Sequence, residues 1–329
     1  MALKVLFIGG TGQISLTAVR EAVAAGHEVS VFNRGQTAEE IPAGVAVIHG
    51  DMADDAAYRR LADGKFDVIC QFMVFTADQM LRDIATFAGK TGQYVFISSA
   101  SAYQKPVRHY VITEKTPLDN PYWEYSRQKA ACEKLLRAQS GLPFTIVRPS
   151  HTVRTRLPTS VGGGEIVASR MLRGLPVIVA GDGMALWTLT RAADFSVPFV
   201  KLFGNRAAIG EDFHITADRG HHWDAIYAAI ADGLGVKAKI VHVPSDTLIR
   251  YRPDWEGGLL GDKTWSVLFD NGKVRRVAGD FTCAEDLATI LEEPVARFKA
   301  SVRETGPQAG ELDAVFDRIA VEQSALGRS

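Results

Sequence analysis

The chain has 329 residues, of which 47% are hydrophobic, so it can bury the core of one large domain or of two smaller ones. Lys and Arg number 37 and Asp and Glu 38, which excludes a strong overall attraction to nucleic acid or to an anionic membrane. No segment approaches the roughly 20 apolar residues of a membrane-spanning helix, and the apolar run at residues 5–8 is too short for a signal peptide. Cys70, Cys132 and Cys283 form no CxxC pair, which indicates a reducing, cytoplasmic setting.

Apolar, strand-like runs alternate with helix-compatible segments over the first half of the chain. The run at residues 5–8 leads into a glycine-rich turn, and the next helix keeps its apolar residues on one face until Gly26 ends it. Further strands are predicted at residues 28–32, 45–49, 66–72, 93–99 and 144–148. Strands that alternate with helices predict an α/β fold with a doubly wound parallel sheet, the Rossmann arrangement.

The pattern changes near residue 150. Residues 1–150 are predicted to form a dinucleotide-binding domain, and residues 151–329 mainly a smaller substrate-binding lobe. The chain is expected to return to the sheet at about residues 185–217, since residues 213–217 have the pattern of one more strand. A further helix is predicted at residues 221–234.

The glycine turn comes directly after the first strand and reads Gly9-Gly10-Thr11-Gly12-Gln13-Ile14-Ser15. Glycines let the backbone approach a dinucleotide pyrophosphate, which binds at the amino end of the following helix. Ser15 stands where a third glycine is usual. We expect cofactor contacts from Gly9, Thr11, Gly12, Gln13 and Ile14. The alternative is a tight turn with a structural role only.

The end of the second predicted strand indicates which dinucleotide is used. A carboxylate about 20 residues after the turn selects NAD, whereas an arginine accepts the extra phosphate of NADP. Here Asn33 and Arg34 occupy this region without a carboxylate, which favours NADP and leaves NAD as the alternative. Arg34 has the alternative of being a solvated loop residue. Asp51 is placed to bond the adenine, and its alternative role is to cap a helix.

Tyr125 and Lys129 are four residues apart, which places both on one face of a helix. Asn120 as N-cap and Pro121 at the first helical position are predicted to start this helix. A phenol has a pKa near ~10 in water, so a nearby ammonium is needed to make it a usable base. By itself such a pair is more often a surface feature. Ser99, at the end of a predicted strand, turns the balance towards catalysis.

Motifs in several parts of the chain resemble those of one family. They are the glycine turn, Asp51, Phe-Ile-Ser-Ser-Ala-Ser-Ala-Tyr at 96–103, Tyr125 with Lys129, and Val-Arg-Pro-Ser at 147–150. Together they are similar to the extended or atypical short-chain dehydrogenase/reductase family, which includes NAD-dependent epimerases and dehydratases. The resemblance covers most of the chain.

This resemblance implies roles for individual residues. Ser99, four residues before Tyr103, corresponds to the catalytic serine of the family. The segment after the sixth strand contacts the nicotinamide in that family. The resemblance therefore implies further cofactor contacts, from Met52, Phe72, Pro149, Ser150 and His151. It also implies a homodimer, because the helix that carries Tyr125 commonly pairs with a second subunit.

Departures from the family pattern restrict the reaction. Ala100 and Ser101 stand where the dehydratases carry Asp-Glu, so elimination of water is not expected. Gln104, and Cys70-Gln71-Phe72 in the fourth predicted strand, place the chain among the atypical members.

Other residue groups carry weaker signals. His221 and His222 suggest a metal site, but neighbouring residues in a helix point about 100° apart, so they are better interpreted as the start of a helix, and no metal is expected. Arg148 is assigned a structural role at a strand end. Arg154 and Arg156 remain speculative ligands for an anionic substrate, and Trp187 is interpreted mainly as packing in the lobe, with lining the pocket as the alternative.

The sequence therefore predicts an NAD(P)-dependent oxidoreductase or epimerase that acts on a hydroxyl-bearing small molecule, possibly a sugar nucleotide. Ser99, Tyr125 and Lys129 are its predicted catalytic residues. Two alternatives stay open: a regulator that senses NADP without turnover, and an RNA-binding protein similar to the chloroplast stem-loop-binding proteins. The intact Ser-Tyr-Lys set argues against the first, and the balanced charge makes a nucleic-acid partner unlikely.

Overall fold

The computed structural model describes residues 1–36 and 41–326. Its strands are β1 (Lys4–Ile8), β2 (Glu28–Asn33), β3 (Ala46–His49), β4 (Val68–Gln71), β5 (Gln93–Ile97), β6 (Val111–Ile112), β7 (Phe144–Pro149), β8 (His151–Val153), β9 (Pro176–Ala180), β10 (Leu186–Arg191), β11 (Asp212–Ile215), β12 (Gly220–His222), β13 (Lys239–Val243) and β14 (Leu268–Phe269). Its helices are α1 (Ser15–Ala24), α2 (Asp55–Arg59), α3 (Ala77–Phe87), α4 (Glu124–Ala138), α5 (Gly164–Leu172), α6 (Ala192–Val200), α7 (Trp223–Leu234), α8 (Ser245–Tyr251), α9 (Glu256–Gly258), α10 (Gly272–Ala278), α11 (Leu287–Ser301) and α12 (Asp313–Leu326).

A seven-stranded sheet forms the centre of the fold, with the strand order β3-β2-β1-β4-β5-β7-β11. All neighbouring strands in it run parallel. The predicted α/β fold with a doubly wound parallel sheet is therefore confirmed. The predicted strands at 66–72 and 213–217 are shorter than expected, as Val68–Gln71 and Asp212–Ile215. The second of these pairs with β7, so the chain does return to the sheet after residue 185.

Helices cover both faces of this sheet, which explains why its strands are apolar throughout. Val5 and Phe7 of β1 point into one hydrophobic cluster, which also contains residues of α1 and α6. Leu6 and Ile8 of the same strand point into a second cluster with residues of α3 and α4. Neighbouring residues of β1 therefore pack against the helices on opposite faces of the sheet, because successive side chains of a strand point to opposite faces.

The part of the chain beyond residue 150 also builds a core of its own. Side chains from α5, α7, α11, β9 and β13 pack into a third hydrophobic cluster. Three small sheets accompany it, with the strand orders β12-β10-β8, β13-β9 and β14-β6. The last of these joins the segment before α4 to the C-terminal third, and this brings the two parts of the chain together next to Ser99 and Tyr125.

The start of α4 differs from the prediction. The helix begins at Glu124 and not at Pro121, and Trp123 occupies the N-cap position without a capping side chain. Asn120 is buried, and its Nδ2 donates to the carbonyl oxygens of Ser101 and Gly261, each at 2.7 Å. The prediction of Asn120 as N-cap was wrong because these two tertiary bonds hold its amide in the interior.

The predicted start of the helix at residues 221–234 is partly correct. His222 caps α7, since its Nδ1 accepts the backbone N–H of Ala225 at 3.1 Å, whereas His221 lies in the short strand β12. Over the described ranges there is no group of three or more His, Cys, Asp or Glu side chains that could hold a metal ion. Within residues 1–36 and 41–326, no helix has the length and apolar character needed to cross a membrane.

Candidate active site at the carboxyl edge of the sheet

The glycine turn between β1 and α1 has the shape of a phosphate cradle. Gly9 has a φ of +85°, and a Cβ added to Gly10 would lie 2.7 Å from both γ carbons of Val31. Only glycine fits these two positions without strain. Ile14 caps α1 without a side-chain hydrogen bond, and no acidic residue lies in the first turn. The residues therefore fit a dinucleotide pyrophosphate, which needs an open helix N-terminus.

Ser15, the departure from the third glycine, has a clear structural role. Its side chain is buried, and its Oγ donates to the carbonyl of Gly9 at 2.5 Å and accepts the N–H of Gly12 at 2.8 Å. The serine thus ties the two ends of the turn together. The turn that the sequence predicts is intact, and a side chain in place of the third glycine fixes its shape.

Gln13 joins the glycine turn to the segment that follows β8. Its Nε2 donates to the hydroxyl of Thr155, and its Oε1 accepts the backbone N–H of Thr155 at 3.0 Å. Arg154 lies beside the same turn, where it donates to the carbonyl of Gly12 at 3.4 Å. The structure places Thr11 as a half-buried residue of the turn and Ile14 at the helix start.

The end of β2 places Arg34 in solvent. Asn33 accepts the N–H of Gly35 with its side-chain oxygen at 2.8 Å, which turns the chain sharply after the strand. Arg34 between them is exposed. Its guanidinium is therefore accessible to a phosphate on the adenosine ribose, as the sequence prediction requires.

Asp51 and Met52 follow β3, and Phe72 follows β4. The carboxylate of Asp51 accepts the N–H of Ala53 at 2.9 Å, whereas α2 is capped by Asp54. The alternative that Asp51 caps this helix was therefore wrong. Met52 and Phe72 are both half-buried, and each packs against one of the two hydrophobic clusters that lie on opposite faces of the sheet.

Ser99 lies directly after β5 and is held by a chain of hydroxyl groups. Its Oγ lies 2.8 Å from the Oγ of Ser101 and accepts the N–H of Ser101 at 3.2 Å. The hydroxyl of Ser126, on α4, in turn donates to the Oγ of Ser101 at 2.8 Å. With Ser101 occupied by these neighbours, Ser99 can direct its own proton towards a reacting oxygen.

Lys129 lies beneath the site and not in its opening. It is 1% exposed, and its ammonium donates to the carbonyls of Val74 and Ile97 at 2.7 and 2.8 Å. The ammonium also lies 4.7 Å from the ring centre of Phe75. Burial lowers the pKa of Lys129 to about 8. Its two backbone bonds fix the ammonium while it remains protonated at neutral pH.

Tyr125 is half-buried, and its ring lies 5.0 Å from that of Trp123 and 6.5 Å from that of Phe75. Burial raises the pKa of Tyr125, a hydrogen bond with Ser99 lowers it, and the charge of Asp262 raises it. The ammonium of Lys129 is 5.8 Å from the centre of the Tyr125 ring. The phenol is therefore protonated at neutral pH, which suits a proton donor.

A cavity of about 280 Å³ brings the predicted residues together. Ser99 and Tyr125 line it together with Pro149 at the end of β7, Ser150, and His151 at the start of β8. Burial, and then the charge of Lys263, lower the pKa of His151 to about 3, so its ring is neutral at physiological pH. The remaining lining residues include four that the sequence prediction did not assign to the site: Lys105, Trp123, Asp262 and Phe269.

Trp187 also lines this cavity, so its main interpretation as packing in the lobe was incomplete. It packs as well, since its ring stacks on Trp223 with a centroid distance of 5.4 Å. Arg34 and Asp51 are not among the residues that line this cavity.

Arg148 holds α4, the helix that carries Tyr125, on the sheet. This arginine of β7 is 2% exposed and binds both carboxylate oxygens of Glu133 on α4, at 2.8 and 2.5 Å. It also donates to the Tyr103 hydroxyl at 3.0 Å and lies 2.6 Å from the carboxylate of Asp212. The structural role that the sequence suggested for Arg148 agrees with this buried network.

Comparisons with known proteins agree with this architecture. The model of a family described as NAD(P)H-binding matches residues 9–165. The chain is 28% identical to the 2'-dehydrokanamycin reductase of Streptomyces kanamyceticus, covering 99% of this chain and 93% of that protein. It is 26% identical to the chloroplast stem-loop binding protein of 41 kDa b of Arabidopsis thaliana, over 76% of this chain and 66% of that one.

Among solved structures, an epimerase of Methanothermobacter thermautotrophicus superposes with a TM-score of 0.71 at 18% identity, covering 92% of this chain and 94% of the other. This likeness shows a shared fold. The family match over residues 9–165 agrees with the resemblance to the short-chain dehydrogenase/reductase family that the motifs indicated, and it supports a nicotinamide dinucleotide as the cofactor.

Proposed function

We propose that the chain is an NADP-dependent oxidoreductase that interconverts a carbonyl and a hydroxyl group on a sugar-like substrate. The observation that carries this proposal is the cavity in which Ser99 and Tyr125 meet, beside Pro149 and His151. The similarity to a reductase over 99% of the chain supports net reduction as the reaction. An epimerase would use the same residues but return the hydride to the substrate.

In this proposal the nicotinamide supplies or accepts the hydride. The protein positions the substrate oxygen and moves one proton. In the reductive direction Tyr125 donates its phenol proton to that oxygen, while Ser99 donates a hydrogen bond to it. The raised pKa of Tyr125 keeps this proton available at neutral pH. The ammonium of Lys129 stabilises the phenolate that remains.

The cofactor preference gives the first test. Arg34 is exposed where NAD-dependent folds carry a carboxylate, so NADPH is expected to bind more tightly than NADH in isothermal titration calorimetry. Arg34→Ala should remove most of that preference by weakening NADPH alone. Arg20→Ala, an exposed arginine on α1, is the matched control and should change neither affinity. Equal affinities of the unaltered protein for the two cofactors would refute the assignment.

The two alternative functions make different demands. A regulator that senses NADP needs no catalytic proton, yet Ser99 and Tyr125 share one cavity.

An RNA-binding role is suggested by the similarity to the stem-loop binding protein. Against it stands the net charge of −1, because RNA affinity that comes from phosphate contacts requires a basic surface. We expect stem-loop RNA to bind weakly and to be released as salt is raised. Tight binding at physiological salt that NADP competes away would favour the RNA-binding role.

We also propose that the protein is a cytoplasmic homodimer. Its free cysteines Cys70, Cys132 and Cys283 support a reducing compartment. Light scattering at micromolar concentration is expected to give twice the mass of one chain. The mass of a single chain would contradict the dimer.

A further inference from the structure

Two opposite charges face the cavity without meeting. Asp262 is half-buried, and its carboxylate makes no hydrogen bond or ion pair with any residue that the structure describes. Lys105 is 4% exposed, and the single hydrogen bond of its ammonium is a long one of 3.4 Å to the carbonyl of Tyr103. The charges of Lys105 and Asp262 each influence the pKa of the other group, but the two side chains do not form an ion pair.

The backbone delivers Asp262 to this position. Residues Leu259–Lys263 form a π-helical turn, a rare geometry that is frequent at functional sites. A Cβ added to Gly261 would lie 2.8 Å from the Cβ of Trp123, so only glycine permits this close approach. The carbonyl of Gly261 accepts a hydrogen bond from Asn120 at 2.7 Å. The carboxylate of Asp262 is thereby held against the catalytic side of the cavity.

Trp187 adds a third polar group to the cavity wall. Trp187 is 2% exposed, and its indole nitrogen is buried without a hydrogen bond in the described part of the chain. Leaving a buried donor or an ionised carboxylate unpaired is unfavourable. The cavity therefore presents one strong acceptor, Asp262, and one weakly bound donor, Lys105, for a ligand to satisfy.

We propose that Asp262 determines the specificity of this site by binding a protonated amine of the substrate, while Lys105 donates to one of its hydroxyl groups. The inference rests on the proposed function, since the amine-bearing polyol is the molecule on which Tyr125 and Ser99 act. A carboxylate pairs most strongly with a cation. Among the described residues no arginine lines the cavity, so it lacks the forked donor that suits the diphosphate of a sugar nucleotide.

The test measures binding to the NADP-loaded protein by calorimetry, with two probes that differ in one group. Methyl α-D-glucosaminide carries an ammonium where methyl α-D-glucoside carries a hydroxyl. The amine is expected to bind about ten- to a hundredfold more tightly, the range that one charged hydrogen bond provides. Asp262→Asn should make the two affinities equal. Asp232→Asn, an exposed aspartate on α7, removes the same charge elsewhere and should keep the preference.

The outcomes separate the two proposals. An unaltered protein that binds both probes equally, or that binds UDP-glucose more tightly than the amine, would overturn the role of Asp262. So would an Asp262→Asn variant that keeps the preference, provided that its melting temperature matches that of the unaltered protein. Tyr125→Phe should retain the amine preference. If Tyr125→Phe also retained full turnover, the proposed chemistry would fail while the binding site would stand.

Discussion

Replacement of Tyr125 by Phe is expected to lower turnover by about 10² to 10⁴-fold, the contribution typical of a general acid or base. The reason is local: the phenol lies in the cavity with Ser99, and the ring remains in place when only its hydroxyl is lost. The measurement is the steady-state rate of NADPH oxidation with a keto-sugar substrate found by screening. NADPH affinity should change little, because the substitution removes one hydroxyl and leaves the glycine turn as it is.

The matched control for this variant is Tyr122→Phe. Tyr122 is also half-buried, precedes the same helix and does not line the cavity, so removal of its hydroxyl should leave turnover unchanged. A Tyr125→Phe variant with the activity of the unaltered protein would show that another group supplies the proton.

Glu133→Ala is expected to destabilise the fold by about 3–5 kcal/mol, the cost of removing one partner from a buried ion pair. Glu133 is 1% exposed and binds Arg148, which is itself 2% exposed, through both carboxylate oxygens. Its loss would leave a buried guanidinium with Asp212 and Tyr103 as partners. Urea unfolding followed by circular dichroism measures this as a lower midpoint with little change in slope.

The control lies on the same helix. Glu124 on α4 pairs with Arg127 in solvent, so Glu124→Ala should move the unfolding midpoint little. Replacing Glu133 and Arg148 together by leucines should cost less than Glu133→Ala alone, because the buried guanidinium that has lost a partner is then removed as well. If Glu133→Ala unfolded at the same urea concentration as the unaltered protein, the pair would have no structural role.

The central sheet was predictable because parallel strands with both faces buried leave apolar runs that the sequence shows directly. The start of α4 was not. Asn120 and Pro121 have the residue types of a helix start, but the amide of Asn120 is bound to Ser101 and Gly261, and the latter is 141 residues away. The preferences of residues for helix starts do not reveal a tertiary hydrogen bond of this kind. The role of Ser15 was missed for a similar reason, since a serine in a glycine position shows its hydrogen bonds only in three dimensions.

The candidate site also combines residues that the sequence indicated with residues that only the structure reveals. Tyr125 and Lys129 were predicted from their spacing, and Ser99 from its place at a strand end and from the family resemblance. The structure places Ser99 and Tyr125 on one cavity and Lys129 beneath them. Lys105 and Asp262 carry no local signal, because neither belongs to a motif. The fold alone brings Asp262 to the cavity, through the close packing of Gly261 on Trp123. Sequence patterns thus indicate the chemistry, whereas the groups that select the substrate depend on tertiary contacts.

The most direct test of the central claim is a crystal structure of the protein with NADP⁺ bound. We expect the pyrophosphate on the turn from Gly9 to Gly12 and the nicotinamide ring in the cavity, beside Tyr125 and Ser99. A nicotinamide outside this cavity, with the Tyr125 hydroxyl out of its reach, would contradict the proposed catalytic site.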